Sequence, residues 1–220
     1  MTVGHQHGAL REHLVAALRE DIVSGQLAPG TPLRTEVVMQ RFGVSNSPLR
    51  EAFAQLASEG LVVVQRNRGA VVAPLDRAHA ADVFRVSVLL MEHVLRWSLP
   101  HVVAGDMATL RRIALDFDLA YRSGDLVTAF AESDRFGEAL LDRCGSPELA
   151  RAVRTLLPQL QRLVRLIDAV DFLALQHSWQ SAVLASAEDR DVESAVVALR
   201  SIWRQVERAV EDVDDDVIGA

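Results

Sequence analysis

Residues 61–75 read LVVVQRNRGAVVAPL and hold the only convincing strand pair in the chain. Two β-branched runs, 61–64 and 70–73, flank Gln65-Arg66-Asn67-Arg68-Gly69. Such runs suit a pleated surface, and Gly69 supplies a backbone angle that other residues resist, so the segment predicts a β-hairpin with a basic tip. Everything else carries helical spacing or turn signals. The apolar half of the 220 residues is rich in Ala, Leu and Val and poor in aromatics, which favours helices packed on helices.

What precedes the hairpin orders it. Residues 9–24 place Leu10, Leu14, Ala17, Leu18 and Ile22 on one helical stripe that Gly25 ends. A turn-rich connector with Pro29, Gly30 and Pro32 follows. Thr35 caps a short helix running to Phe42, and Gly43 ends it. Ser45 or Ser47 caps the next helix, with Pro48 in its first turn, where a missing N–H costs nothing. Leu49, Ala52, Phe53, Leu56 and Ala57 face inward, and Gly60 stops the helix.

Helix, helix, turn, helix and basic hairpin is the order of a winged helix-turn-helix. This order explains the polar run Ser45-Asn46-Ser47-Pro48. A recognition helix enters the major groove N-terminus first, so its first turn must display hydrogen-bonding groups rather than core residues. Asn46 suits a bidentate contact to adenine, and Arg50, one turn on, suits guanine or phosphate. The hydroxyls of Ser45 and Ser47 suit phosphate. Arg34, Thr35, Arg66, Arg68 and the Gly69 backbone are candidates for phosphate or the minor groove.

From residue 76 onward only helix signals remain, at about 76–99, 106–123, 125–144, 146–168, 171–188 and 190–213, with Asp76, Asp106, Ser146 and Asp191 as caps or first-turn acids. Pro158 should kink the fourth. The expected fold is mainly α: a winged helix-turn-helix with a small wing over 1–74, then an all-helical bundle over 75–220.

Net charge is −7, but it is uneven. Residues 1–74 hold seven Arg against six acids, while the remainder holds sixteen Arg against twenty-four acids. A near-neutral head can bind DNA if its few Arg share a face. The single cysteine, Cys144, rules out a disulfide framework. The start of the chain has no signal-peptide pattern, and no apolar run reaches the roughly 18 residues of a membrane span. A cytoplasmic location without membrane contact is expected. No phosphate loop, metal triad or paired nucleophile suggests catalysis.

LREDIVSGQLAPGTPL, FGVSNSPLREAFAQLASEGLVVV and RNRGAVVAPLD resemble the GntR family of bacterial transcription factors over residues 10–76. LLMEH with Glu92, RCGSPEL and ASAEDRDVESAVVALRSIW resemble the FadR-type effector domain, often called FCD. The resemblance implies a homodimer on a short palindromic double-stranded operator, and a small ligand in the helical bundle that changes the freedom of the two DNA heads. Most such proteins are repressors released by a metabolite.

Two departures matter. The family usually has Arg at Asn46 and often at Glu36, so the operator should differ from the family norm. Many FCD domains also bind a divalent metal through D-x-x-x-H and two later His. Here those four positions are Ser133, Gly137, Gln180 and Ile202, and the only His after His101 is His177. Ser and Gln are poor ligands for a transition metal, and Gly and Ile are none. The expectation is a pocket without metal or other cofactor, opened by Gly137 and walled by Ile202, for an unknown effector that is larger, apolar or acyl-derived.

His79, His93, His101 and His177 stand at no ligand spacing, and Trp97, Trp179 and Trp203 suit packing, an interface or a pocket wall. Arg85, Arg96 and Arg165 suit ion pairs or an anionic effector. A rival reading is a helical dimeric interaction protein whose DNA head is disabled by Glu36 and Asn46.

Overall fold

The computed structural model describes residues 3–65, 69–75, 77–164 and 169–211. Arg66, Arg68, Asp76, Arg165 and the acidic C-terminal segment lie outside the described residues. The contacts divide the chain into two units, one holding the described residues of 1–80 and 155–166, the other those of 81–154 and 167–212.

The first unit begins with α1 (Val3–Val23), whose Leu14, Leu18 and Ile22 are fully buried at the i, i+4, i+8 spacing of one helix face. Leu10, expected on that stripe, is instead 37% exposed, and Val15 and Val23 join the core. Strand β1 (Pro32–Leu33) leads into α2 (Thr35–Phe42). Arg34, not Thr35, occupies the N-cap position of α2, and no side chain caps it. Gly43 closes α2 in the left-handed region (φ 65°), its N–H donating to the Met39 carbonyl. Helix α3 (Asn46–Ser58) buries Leu49, Ala52, Phe53 and Leu56.

Strands β2 (Val62–Gln65) and β3 (Gly69–Val72) form the expected hairpin, with Val62 opposite Val72 and Gln65 opposite Gly69. The third strand, β1, was not foreseen; it pairs antiparallel with β3, Leu33 opposite Ala70, giving the order β1-β3-β2. Val62, Ala70 and Val72 point into the core formed by Leu14, Leu18, Leu49, Phe53 and Leu56, while Val63 and Val64 face out. Arg19 clamps Glu59, past the end of α3, through two hydrogen bonds of 2.8 and 2.6 Å.

After the hairpin, helices stand at all six expected places: α4 (Arg77–Ser98), α5 (Ala104–Ser123), α6 (Leu126–Leu141), α7 (Pro147–Val164), α8 (Ala169–Asp189) and α9 (Val192–Glu211). A 3-10 turn, Leu99–His101, follows α4, and α7 runs through Pro158 as one helix. The described part of α7 from residue 155 groups with the first unit, where Arg162 is buried and donates to the Ala73 carbonyl. Burial lowers the Arg162 guanidinium to about 10, which still leaves it charged at neutral pH.

Of the expected caps, Ser146, Asp191 and the first-turn Asp106 take those places, and Asp125, which was not singled out, caps α6. Asp191 accepts the Ser194 N–H at 3.2 Å, Ser146 accepts the Leu149 N–H at 3.2 Å, and Asp125 accepts the Thr128 N–H at 3.1 Å. Asp106 sits in the first turn of α5 and accepts the Val103 N–H. The core gathers Leu95, Leu110, Phe136, Leu140, Trp179, Val183, Leu199 and Ile202. Among the described residues, no helix is long and apolar enough to cross a membrane.

Candidate nucleic-acid interface and effector site

In the head, α2, α3 and the wing strands enclose a cleft of about 810 Å³ whose lining includes Thr35, Glu36, Asn46, Arg50, Gln65 and Gly69. A groove of about 500 Å³ on the other flank of α3 is lined by Asn46, Ser47, Arg50, Glu51 and Ala54. Asn46 and Arg50 line both. They stand one turn apart, on the outward ridge of α3, because Leu49, Ala52 and Phe53 anchor the opposite face.

The polar groups on this ridge are uncommitted. Ser45 holds the N-cap position, yet its side chain makes no capping bond, so the first N–H groups of α3 lack the usual internal acceptor. Among the head's described arginines, Arg11 pairs with Glu12 and Glu51, Arg19 with Glu59, and Arg41 with Asp21. Arg34 and Arg50 are exposed, and their side chains have no ion pair or hydrogen bond among the described residues. Among the described residues, Arg50 is the one cation lining the cleft, and Glu36 lines the same space as its one anion.

Gly69 has a role the sequence did not disclose. Its φ is +89°, and a Cβ there would stand 2.4 Å from the Leu33 carbonyl oxygen and 3.2 Å from the Thr35 nitrogen. The missing side chain lets the wing press against β1 and the start of α2, which sets the cleft's width.

Of the proposed DNA-contacting residues, the cleft joins Thr35, Asn46, Arg50 and Gly69, with Ser47 on the adjoining groove. Arg34 and Ser45 lie at the N-caps of α2 and α3 and line neither hollow. Gln65 and Glu51 are added. They alternate with or follow assigned residues, but no pattern in the sequence singles them out.

In the helical unit, Ser133 and Gly137 lie one turn apart on α6, Gln180 on α8 and Ile202 on α9. The rings of Phe136 and Trp179 meet edge-on at 5.5 Å, fastening α6 to α8 at the residues that precede Gly137 and Gln180. Ile202 belongs to the same core. A Cβ on Gly137 would meet nothing within 4 Å. Gln180 is 1% exposed, and neither its Oε1 nor its Nε2 has a hydrogen-bond partner among the described residues.

This set does not suit a divalent metal. Two of the four positions offer no donor, and a neutral amide and a hydroxyl supply no charge to offset desolvation of the ion. Elsewhere among the described residues, no three His, Cys, Asp or Glu side chains cluster as a metal site.

A hollow of about 630 Å³, whose described lining includes none of Ser133, Gly137, Gln180 and Ile202, runs between α4 and α9 past Phe84, Leu89, Val197 and Trp203. Glu92 lies on its floor, 6% exposed, and accepts two hydrogen bonds from Arg200 at 2.6 and 2.7 Å. Those bonds hold its carboxyl below the usual carboxylate range despite burial. Arg96 pairs with Glu193 and Arg85 stands 3.8 Å from Asp82, so both are matched on the surface.

A winged helix-turn-helix with a free polar ridge, carried in one chain with an all-helical unit, defines a DNA-binding transcriptional regulator rather than an enzyme. The comparisons with known proteins agree. Residues 10–72 match the model of the bacterial regulatory proteins of the gntR family, and residues 82–205 match the FCD domain. The chain is 31% identical over 202 residues to the HTH-type transcriptional regulator BphR of Paraburkholderia xenovorans, covering 87% of this chain and 81% of that one. It is 28% identical over 174 residues to the galactonate operon transcriptional repressor of Escherichia coli, covering 70% and 74%. The solved structure of E. coli McbR/YncC shares the fold, with a TM-score of 0.77 at 21% identity over 92% of this chain and 97% of that one. The chain belongs to the GntR family and is a ligand-responsive transcriptional regulator with a C-terminal FCD domain.

Proposed function

We propose that the chain is a homodimeric, cytoplasmic repressor that reads a short palindromic operator and is released by a small effector bound in its helical unit without a metal. The head spans residues 1–74 in this reading, and the effector and dimerisation region spans 75–220. The observation that carries it is the free ridge of α3: Asn46 and Arg50 are exposed, unpaired and poised over a cleft that Thr35 and Gly69 also line. Three of the head's other arginines are tied up by acids, so Arg50 concentrates the available positive charge at the helix that enters the groove. The wing arginines Arg66 and Arg68 extend the contact to the backbone or minor groove.

Ser133, Gly137, Gln180 and Ile202 form the effector pocket. Apolar walls and the absence of metal ligands at these positions favour an apolar or acyl-derived effector over a chelating sugar acid. The experiment is to capture genomic fragments with the purified chain and footprint them. A short protected palindrome supports the reading. Failure to enrich any fragment, with and without cell extract metabolites, overturns it.

Glu36 favours one rival. A carboxylate in the cleft repels phosphate, as expected of a helical interaction protein whose head has lost DNA. Recovery of operator binding only in Glu36→Arg would favour that rival.

A further inference from the structure

We propose that Gln180 is the effector-reading residue, and that the effector is an uncharged molecule presenting a carboxamide or lactam edge on an apolar body. This rests on the reading of the helical unit as an effector domain. The carrying observation is the Gln180 side chain itself: almost wholly buried, with both donor and acceptor unpartnered among the described residues. Buried amides are nearly always hydrogen-bonded, because water's bonds are lost on burial and must be replaced. An amide with both atoms unmatched calls for a partner, and a ligand is one that can supply both bonds.

The chemistry follows from the donor set. A primary amide offers C=O and N–H side by side, so its best complement is another cis donor–acceptor edge, which a carboxamide or lactam supplies through two parallel hydrogen bonds. The neighbourhood is apolar: Phe136, Trp179 and Ile202 belong to the core at these helices, and Gly137 leaves open space on α6. The Trp179 Nε1, on the adjacent residue, is likewise buried without a partner among the described residues.

Charge argues against a carboxylate. The arginines along α6 and its exit are already matched, Arg135 to Glu132 and Arg143 to Asp106. His177, one turn before Gln180 on α8, lies 3.2 Å from Asp118. A carboxylate seated against Gln180 would be buried, and Arg135, Arg143 and His177 are already engaged with acids of their own.

The test measures binding to the full-length chain by tryptophan fluorescence, which Trp179 should report, and by thermal shift. The probes are hexanamide and ε-caprolactam against hexanoate and hexylamine. The amide and lactam should bind saturably and raise the melting temperature, with hexanoate and hexylamine at least tenfold weaker. Gln180→Leu should weaken the amide probes at least tenfold while raising the melting temperature of the unliganded chain, since it removes an unmatched amide from the core. Gly137→Leu, which fills the open flank of α6, should also weaken the probes and provides the check if Gln180→Leu fails to fold.

Preference for hexanoate, tight binding of Zn²⁺ alone, or unchanged probe affinity in both variants would overturn the proposal. So would a lower melting temperature in Gln180→Leu together with absent probe binding in the wild type, the signature of an amide satisfied by trapped water. Operator binding by the wild type, measured alongside, separates the two claims. Operator binding without probe binding overturns only this inference, whereas no operator binding overturns the regulatory reading.

Discussion

The two units treat polar side chains in opposite ways. The DNA head leaves its informative groups outside and uncommitted: Ser45, Asn46, Ser47 and Arg50 stand exposed along the first turns of α3. The helical unit neutralises its surface with pairs such as Arg154 with Glu138 and Arg96 with Glu193, and keeps an unmatched polar group, Gln180, inside. Each arrangement follows from its partner's chemistry. A polyanion approaches from solvent and rewards free surface cations. A small ligand must be enveloped, so under the proposed reading its recognition group lies buried.

Four substitutions break or sharpen this contrast, from the largest effect to the smallest. Gly69→Ala forces a side chain into the left-handed region and against the Leu33 carbonyl, and should destabilise the head by at least about 2 kcal/mol. Denaturant melts would show it, and operator affinity should fall with it because the wing no longer closes on α2. Glu92→Gln removes the charge that Arg200 grips, at a cost of about 1.5–3 kcal/mol. Because the folded carboxyl lies below its ordinary 4.5, that stabilisation is present above pH 4.5 and disappears as pH falls through the folded value. The gap in melting temperature between wild type and Glu92→Gln should therefore shrink on acidification, and a constant gap would refute the pairing.

Arg50→Ala should weaken operator binding by about 1–3 kcal/mol with the melting temperature unchanged, since the exposed Arg50 side chain has no ion pair or hydrogen bond among the described residues. A fall in stability of similar size would place Arg50 in the fold rather than at the interface. Glu36→Gln should tighten operator binding by a few tenths to about 1 kcal/mol, most clearly at low salt. An unchanged affinity would mean that the Glu36 carboxylate points away from phosphate.

The head was more legible than the helical unit for a physical reason. Its helix stops at Gly25, Gly43 and Gly60 and its β-branched hairpin are local signals, and local signals fixed α2, α3 and the wing to within a residue or two. β1 escaped notice because two residues, one of them proline, carry no alternation; only pairing with β3 makes them a strand. Gly69 read as a turn residue, whereas its tightest constraint is the approach of Leu33 and Thr35, which are distant in sequence. In the helical unit the six helices and the Ser146 and Asp191 caps were readable. The convergence of Phe136, Trp179 and Ile202 depends on how α6, α8 and α9 pack, and the unmatched state of Gln180 is a property of that packing alone. The docking of Arg162 on Ala73, 89 residues apart, lay equally beyond any local pattern.

The central claim, that the exposed ridge of α3 reads base sequence, is tested most directly by selecting preferred sites from random DNA for the wild-type chain and for Asn46→Arg. The account predicts palindromic sites whose consensus changes at one matching position in each half-site, because Asn46 contacts a base edge there. The same consensus from both proteins, with affinity altered uniformly, would contradict it and reduce Asn46 to a backbone contact.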